Sequence, residues 1–87
     1  ILVNEYSEMK LIEALSARIK ELCDQYHLTP HGLSIKSGVA SSTIDNIIKM
    51  RCSSAQLKFI YAICDGLGMS LEEFFSSPYF SKENLTD

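Results

Sequence analysis

The sequence is poor in residues on which several classes of small protein depend. It has no tryptophan, two prolines, four glycines and three cysteines in 87 residues. An odd number of widely spaced cysteines does not suit a disulfide framework, so we expect reduced thiols in the cytoplasm. No apolar run approaches the roughly 18 residues that a membrane span requires, and no basic segment accompanies Ile1-Leu2-Val3 as in a signal peptide. We therefore expect a soluble protein, with Met9 as a candidate natural start.

Side chains that commonly serve in catalysis or metal binding are also scarce. The chain has two histidines, no glycine-rich loop and no acidic cluster suited to a catalytic cleft. Because an activated nucleophile needs a base and an orienting group, we do not expect an enzyme. Cys23, His27 and His31 are spaced by four, but Thr29-Pro30 interrupts the helix between the two histidines. We therefore expect neither a metal site nor a cofactor.

What the sequence does contain is typical of one small helical domain. Hydrophobic residues make up 46% and charged residues 22% of the chain, which is typical of globular proteins. Apolar residues recur at intervals of three and four, the spacing of one helix face. We predict an all-α fold with five helices in a domain at 9–75. An N-terminal extension at 1–8 precedes it, and a tail at 76–87 follows, either flexible or acting as a dimer latch.

The first predicted helix starts at Ser7 or Met9 and ends at Tyr26. Arg18 is predicted on its solvent side. Its apolar stripe, predicted to lie on the core, consists of Ile12, Leu15, Ile19, Leu22 and Tyr26.

The last two predicted helices follow a polar loop. The fourth covers residues 55–67, with Ser53 or Ser54 as its cap and Gly66 and Gly68 at its end. Ser70 caps the fifth, at 71–75, whose two phenylalanines are expected to close the base of the bundle. The inward residues of the fourth helix are predicted to be Leu57, Ile60, Ile63, Cys64 and Leu67.

Residues 28–49 predict two short helices joined by a tight turn. Thr29 is a good N-cap, Pro30 suits the first helical position, and Gly38 can take the left-handed conformation that closes a helix. Val39, an apolar residue in the turn, is expected to be buried. Ser41 or Ser42 is the expected cap of the second helix. That helix has an apolar side of Ile44, Ile47 and Ile48 and a polar side that is free to bind a partner.

The net charge of −3 is distributed unevenly. Residues 1–28 carry −2, residues 29–58 carry +3 and residues 59–87 carry −4. Screening limits exposed charges to a range of about 8 to 10 Å, so the local sign at a surface matters more than the total. On charge alone, the central basic residues are either an ordinary solvated face or an anion-binding surface.

The order of these elements resembles the lambda-repressor/Cro-like (XRE) helix-turn-helix family. The resemblance covers residues 18–75 and places the helix-turn-helix at 29–49. Met50 stands where that family commonly has glycine, so we expect strain or a shifted end at the third helix. The residues that carry the resemblance are Leu28-Thr29, Leu33, Lys36, Gly38-Val39, Thr43-Ile44, Ile47, Leu57, Ile60, Ile63, Leu67-Gly68 and residues 69–75.

The resemblance implies sequence-specific binding of double-stranded DNA by a small transcriptional regulator, expected to be a repressor. Helix 41–49 would enter the major groove. Asn46 can pair with adenine N6 and N7, whereas no arginine on this helix can read guanine, so a guanine-specific code is not expected. Asp45 would lie along the edge or accept from cytosine. The implied base contacts are Ala40, Ser41, Ser42 and Asn46.

Affinity is expected to come from phosphate contacts. The implied backbone and flanking residues are Thr29, His31, Lys36, Thr43, Asp45, Lys49, Arg51, Ser53 and Lys58. The N–H groups at the starts of the second and fourth helices, near His31 and Ala55, are expected to add anion sites. Because the charges are few, a homodimer on a palindromic site is expected. Its candidate contacts are Leu2, Val3, Tyr79 and Phe80.

A second hypothesis comes from a different class of function. The acidic balance and the modest recognition helix also suit a protein-interaction module, such as the antitoxin half of a toxin–antitoxin pair. Such a module would use the same fold to bind a polypeptide. The two hypotheses predict different partners for the same fold.

Overall fold

The computed structural model describes residues 9–86. Within that range the chain forms five α-helices and one short 3-10 helix, without a β-strand, so the predicted all-α class is confirmed. The extension at 1–8, with the candidate dimer contacts Leu2 and Val3, lies outside the described residues. The helices are α1 (Leu11–Gln25), α2 (Pro30–Ser37), α3 (Ser41–Ile48), α4 (Leu57–Leu67), α5 (Leu71–Phe75) and the 3-10 helix η1 (Pro78–Phe80).

Helix α1 packs one apolar stripe into the core. Ile12, Leu15, Ile19 and Leu22 are all buried, as the spacing predicts. The helix starts at Leu11, later than predicted, since the Met9 N–H donates to the Asn84 carbonyl at 2.7 Å and is held in extended pairing. Tyr26 was predicted in the stripe, but it follows the end of the helix and is 37% exposed.

Helices α2 and α3 are joined by three residues, with α2 bounded as predicted. The Thr29 hydroxyl accepts from the Gly32 N–H at 3.0 Å, and Gly38 closes α2 with a φ of 77°. Val39 is buried in the turn, as expected. The predicted cap of α3 is wrong: Ala40 is the N-cap, and it provides no side-chain acceptor. Ser41 and Ser42 lie inside the helix, because Ala40 is the residue with the non-helical ψ of 137° that precedes it.

Helix α4 begins at Leu57, two residues later than predicted, and neither Ser53 nor Ser54 caps it. Gln56 is the N-cap and Leu57, now the first helical residue, is 60% exposed instead of buried. The helix start at which an anion site near Ala55 was predicted therefore lies at Leu57. Gly66 lies inside the helix and does not end it.

Gly66 has a packing role that its position in the sequence does not reveal. A Cβ at this position would lie 2.7 Å from the Lys36 carbonyl oxygen and 2.9 Å from the Ser37 Cα. The absence of a side chain therefore lets the backbone of α4 contact the end of α2. The αL residue that closes α4 is Gly68, with a φ of 71°.

The base of the bundle consists of Arg18, Ser70, Phe74, Phe75 and Phe80. Arg18 was predicted on the solvent side, yet its side chain is only 11% exposed. Its Nε donates to the Phe74 carbonyl at 2.8 Å and its Nη2 to the Glu73 carbonyl at 2.9 Å. A guanidinium at the end of α5 binds carbonyls that lack helical partners, so Arg18 joins α1 to α5.

The tail is folded, and the prediction of a flexible segment is wrong. Phe80 packs its ring 5.9 Å from Phe74 and 5.0 Å from Phe75, so it contributes to the base, and the dimer contact predicted for it stays a prediction. Asn84 is buried, and its side chain donates to the Pro78 carbonyl. Leu85 forms a parallel bridge with Met9. The tail also contributes Tyr79, which lies against Glu21 of α1.

Candidate nucleic-acid interface

Helix α3 has one buried side and one open side. Ile44 and Ile47 are 0% and 2% exposed, and Ile48 packs partly against the core. At 100° per residue the exposed positions from Ser41 to Asn46 cover an arc of about 140°. We call this arc and the residues over it the α3 face: Ala40, Ser41, Ser42, Asp45, Asn46, Lys49 and Arg51. The residues predicted to contact bases therefore lie together on one surface.

Two serines that sequence analysis missed hold the turn before α3. The Ser34 hydroxyl donates to the Val39 carbonyl at 2.7 Å, and the Ser37 hydroxyl accepts from the Val39 N–H at 3.2 Å. A third serine holds the far end, where the buried Ser16 hydroxyl donates to the Ile48 carbonyl at 2.6 Å. Hydrogen bonds at both ends thus fix the direction of α3. Only the small polar character of these residues could have suggested this.

The starts of α2 and α3 meet at a shallow depression of about 390 Å³. It brings His31 of α2 next to Ser41, Ser42 and Asp45 of α3. No side chain caps α3, so its first N–H groups are not satisfied by a cap. Such N–H groups favour an anion, because the positive end of the helix dipole adds to their hydrogen-bonding capacity.

A smaller depression of about 180 Å³ lies on the other side of α3. Thr43 and Asn46 line it from α3, and Cys52, Gln56 and Phe59 line it from the following segment. The Cys52 thiol donates to the Asn46 carbonyl at 3.8 Å. The tail contributes to neither depression, so both sides of α3 are open at these places.

Asp45 is the acidic centre of the α3 face. Its Oδ1 lies 3.2 Å from Lys49 Nζ, and its Oδ2 accepts from Arg51 Nη1 at 2.9 Å. The hydrogen bonds from Arg51 and Lys49 hold the pKa of the Asp45 carboxyl below its ordinary value. Asp45 was expected along the edge of a groove or on a cytosine, but here it binds the two cations beside it.

The flanking residues are spread over several elements. Thr29 uses its hydroxyl oxygen to cap α2, and Ser53 is exposed in the loop before α4. Lys36 lies in the last turn of α2, at the opposite end of that helix from His31. Lys58 Nζ lies 5.2 Å from the centre of the Phe59 ring. These residues are exposed at the surface.

The end of α3 carries the strain that the sequence predicts. Met50 has a φ of 57°, in the left-handed region that side chains seldom adopt, and it is 47% exposed. Glycine adopts this conformation at little cost, whereas a residue with a Cβ does not. The chain turns sharply here, so that Arg51 comes back beside Asn46.

The thiols differ in their surroundings. Cys23 and Cys64 are buried, and burial raises the pKa of both thiols, whereas Cys52 is half-buried. In the described range no three His, Cys, Asp or Glu side chains come close enough to hold a metal ion. None of the helices described is long and apolar enough to cross a lipid bilayer.

Comparisons with known proteins identify no relative. No protein-family model matches the chain, and neither a curated protein nor a solved structure is significantly similar to it.

Proposed function

We propose that this protein is a small DNA-binding transcriptional regulator, a repressor, with the helix-turn-helix architecture of the lambda-repressor/Cro-like family. The observation that carries the proposal is the two-sided α3. Its apolar side is buried, while Ser41, Ser42 and Asn46 are exposed. An α-helix fits the major groove of B-DNA, about 12 Å wide, and presents such residues to base edges.

In this proposal α3 enters the groove and α2 crosses the sugar–phosphate backbone. Asn46 reads adenine, since its amide can accept from N6 and donate to N7. Ser41 and Ser42 donate or accept at several bases, and Ala40 contacts a thymine methyl. The depression between His31 and the start of α3 suits a phosphate, because its N–H groups have no side-chain cap.

The local charge of the proposed contact region supports DNA binding, whereas the net charge of the whole chain does not. Residues 29–58 carry +3 although the chain carries −3. Lys36 and Lys58 form no ion pair among residues 9–86, so both are available for phosphates. Lys49 and Arg51 share Asp45, which lowers the positive charge of the α3 face. We therefore propose weak binding by one copy and useful affinity in a homodimer that places two α3 helices about 34 Å apart.

The test is a selection from random duplexes, followed by fluorescence anisotropy on the selected site at several salt concentrations. We expect an adenine in each half-site that depends on Asn46. Asn46→Ala should lower the affinity about 5- to 150-fold, the value of one bidentate base contact. Gln25→Ala, which removes an exposed amide from the end of α1, is the matched control and should change nothing. Equal effects of the two substitutions would contradict a role for α3 in reading bases.

A second candidate function is binding of a partner protein. It is favoured by the exposed apolar residues Ile35, Leu57 and Tyr61, which are 72%, 60% and 59% exposed. If the protein ignores duplex DNA at low salt and instead forms a stoichiometric complex with a polypeptide encoded beside it, the interaction module is the correct function.

A further inference from the structure

Arg51 follows α3 in the sequence, but its guanidinium lies back over the helix. Its Nη1 donates to Asp45 Oδ2 at 2.9 Å and to Asn46 Oδ1 at 3.1 Å. The left-handed conformation of Met50 turns the chain so that this contact can form. From the sequence, Arg51 is expected at the phosphate backbone, as is usual for a residue beyond the end of the helix.

The position of this guanidinium follows from helix geometry. Asp45 and Asn46 are successive residues and point about 100° apart around α3. A nitrogen bonded to both side chains therefore lies over the ridge between them. That ridge is also the middle of the exposed arc, near the direction of Ser42 and Lys49. The positive charge of Arg51 thus lies where a base edge would lie in a DNA complex, and not at the margin of the helix.

The hydrogen-bonding capacity of Arg51 is divided between two edges. Both protons of Nη1 are needed for Asp45 and Asn46. In the part of the chain that the structure describes, Nε and Nη2 have no hydrogen-bond partner. Those two nitrogens form one side of the planar guanidinium, and two parallel N–H groups match the N7 and O6 acceptors of guanine.

We propose that Arg51 is a base-reading residue that binds guanine through its Nε and Nη2, next to the adenine read by Asn46. Asp45 is its positioning residue, because it holds Nη1 and leaves the opposite edge for the base. Asn46 Oδ1 has a second lone pair for adenine N6, so the contact to Arg51 leaves its pairing intact. The inference rests on the proposed function and replaces the expectation that this face does not select guanine.

Stability alone does not explain the arrangement. The side chains of Arg51 and Asp45 are 53% and 39% exposed, and ion pairs that are this accessible contribute little to folding. Lys49 binds the other carboxylate oxygen, so the Asp45 carboxylate is held from both sides. What the network does fix is the orientation of two side chains that carry complementary base-reading groups.

The test compares the sites selected by the wild type, Arg51→Lys, Arg51→Ala, Asp45→Asn and Lys36→Ala. Arg51→Lys keeps the charge but loses the planar pair of donors. We expect it to lose the preference for guanine at one position by about tenfold or more, with the adenine preference and the salt dependence unchanged. Asp45→Asn should weaken the same guanine preference while binding to unrelated duplexes becomes tighter, since a negative charge is removed from the interface.

Lys36→Ala is the matched control. It should lower the affinity for all duplexes and reduce the salt slope by about 0.9, without changing any base preference. If Arg51→Lys keeps the guanine preference and Arg51→Ala behaves like Lys36→Ala, Arg51 is a phosphate contact and the inference is overturned, although DNA binding stands. If the wild type binds no duplex at low salt, both the inference and the proposed function are overturned.

Discussion

The base of the bundle and the α3 face differ in how their polar groups are hydrogen-bonded. At the base, the Ser70 hydroxyl caps α5 and the Glu73 side chain accepts from the Ser70 N–H, while Arg18 binds the carbonyls at the other end. On the α3 face, Ala40 offers no cap and the serines of the first turn are exposed. The base has satisfied its hydrogen bonds internally, whereas the face keeps capacity for a partner.

Because of this difference, we expect the base to determine stability and the α3 face to determine binding. Substitutions at the base should lower the free energy of unfolding and leave the proposed contacts to DNA unchanged. Substitutions of the polar side chains on the α3 face should alter the proposed binding and hardly change stability, because exposed side chains contribute little to it. Four experiments can break or refine the separation.

Removing the largest ring of the base should have the strongest effect. Phe74 is 0% exposed, and Phe74→Ala should cost about 3 to 5 kcal/mol through lost burial and the cavity left behind. The measurement is urea unfolding monitored by circular dichroism. Phe75→Ala is the control: that ring is 36% exposed, so its loss should cost clearly less. Similar costs for both would show that the base is not sealed by Phe74.

Adding a methyl group at Gly66 should destabilise the contact between α2 and α4. In an open helix Gly→Ala stabilises, but here the new Cβ would lie 2.7 Å from a backbone oxygen of Lys36, which cannot move alone. We expect a loss of about 1 to 3 kcal/mol in thermal or urea unfolding. Asp65→Ala, at the exposed neighbouring position, should stay near the wild type. A stabilised Gly66→Ala protein would contradict the close approach.

The two helix starts should respond with opposite signs to a cap substitution. Ser70→Ala removes the cap of α5 and should cost about 1 kcal/mol. Ala40→Ser supplies a cap to α3, whose N-cap residue already has a non-helical ψ of 137°, and should gain about 1 kcal/mol or less. Thermal unfolding of both variants measures this. Destabilisation by Ala40→Ser would mean that a serine side chain at this position cannot bind the first N–H groups of α3.

The smallest expected effect is a change in the pKa of Asp45 on the α3 face. Arg51 and Lys49 lower the pKa of Asp45, so Arg51→Gln should raise that pKa toward its ordinary value. The sign follows from linkage: the depressed pKa contributes stability at neutral pH, which is lost as the pH falls through the folded-state pKa. The measurement is a titration of the Asp45 carboxyl carbon by NMR. An unchanged midpoint would show that Arg51 does not hold Asp45 in solution.

The preferences of single residues predicted the bounds of α2 correctly. They failed at the start of α3, where neighbouring residues are alternative candidates for the cap. Thr29, Pro30 and Gly38 each have one obvious role, and all three take it. Ser41 and Ser42 are equally good caps by type, yet the turn geometry makes Ala40 the cap position instead. A cap depends on which residue keeps non-helical angles, and that is decided by the tertiary course of the chain.

The roles of Arg18 and Phe80 at the base could not be predicted for a different reason. Arg18 binds carbonyls 55 and 56 residues away, and Phe80 joins a cluster that begins at Phe74. Nothing in the sequence near Arg18 distinguishes it from a solvated residue on an exposed helix face. Similarly, the exposure of Asn46 follows from helical spacing, but the return of Arg51 across α3 depends on a loop conformation that spacing cannot encode.

The bridge between Met9 and Leu85 makes the described backbone almost a ring. The Thr86 N–H donates to the Met9 carbonyl at 2.9 Å, so a short linker could join residue 86 to residue 9 once residues 1–8 and 87 are removed. New termini could then be opened in the exposed loop between Ser53 and Gln56, which belongs to no helix. A circularly permuted chain of this kind would still carry α3 uninterrupted, with the order of its flanking segments exchanged.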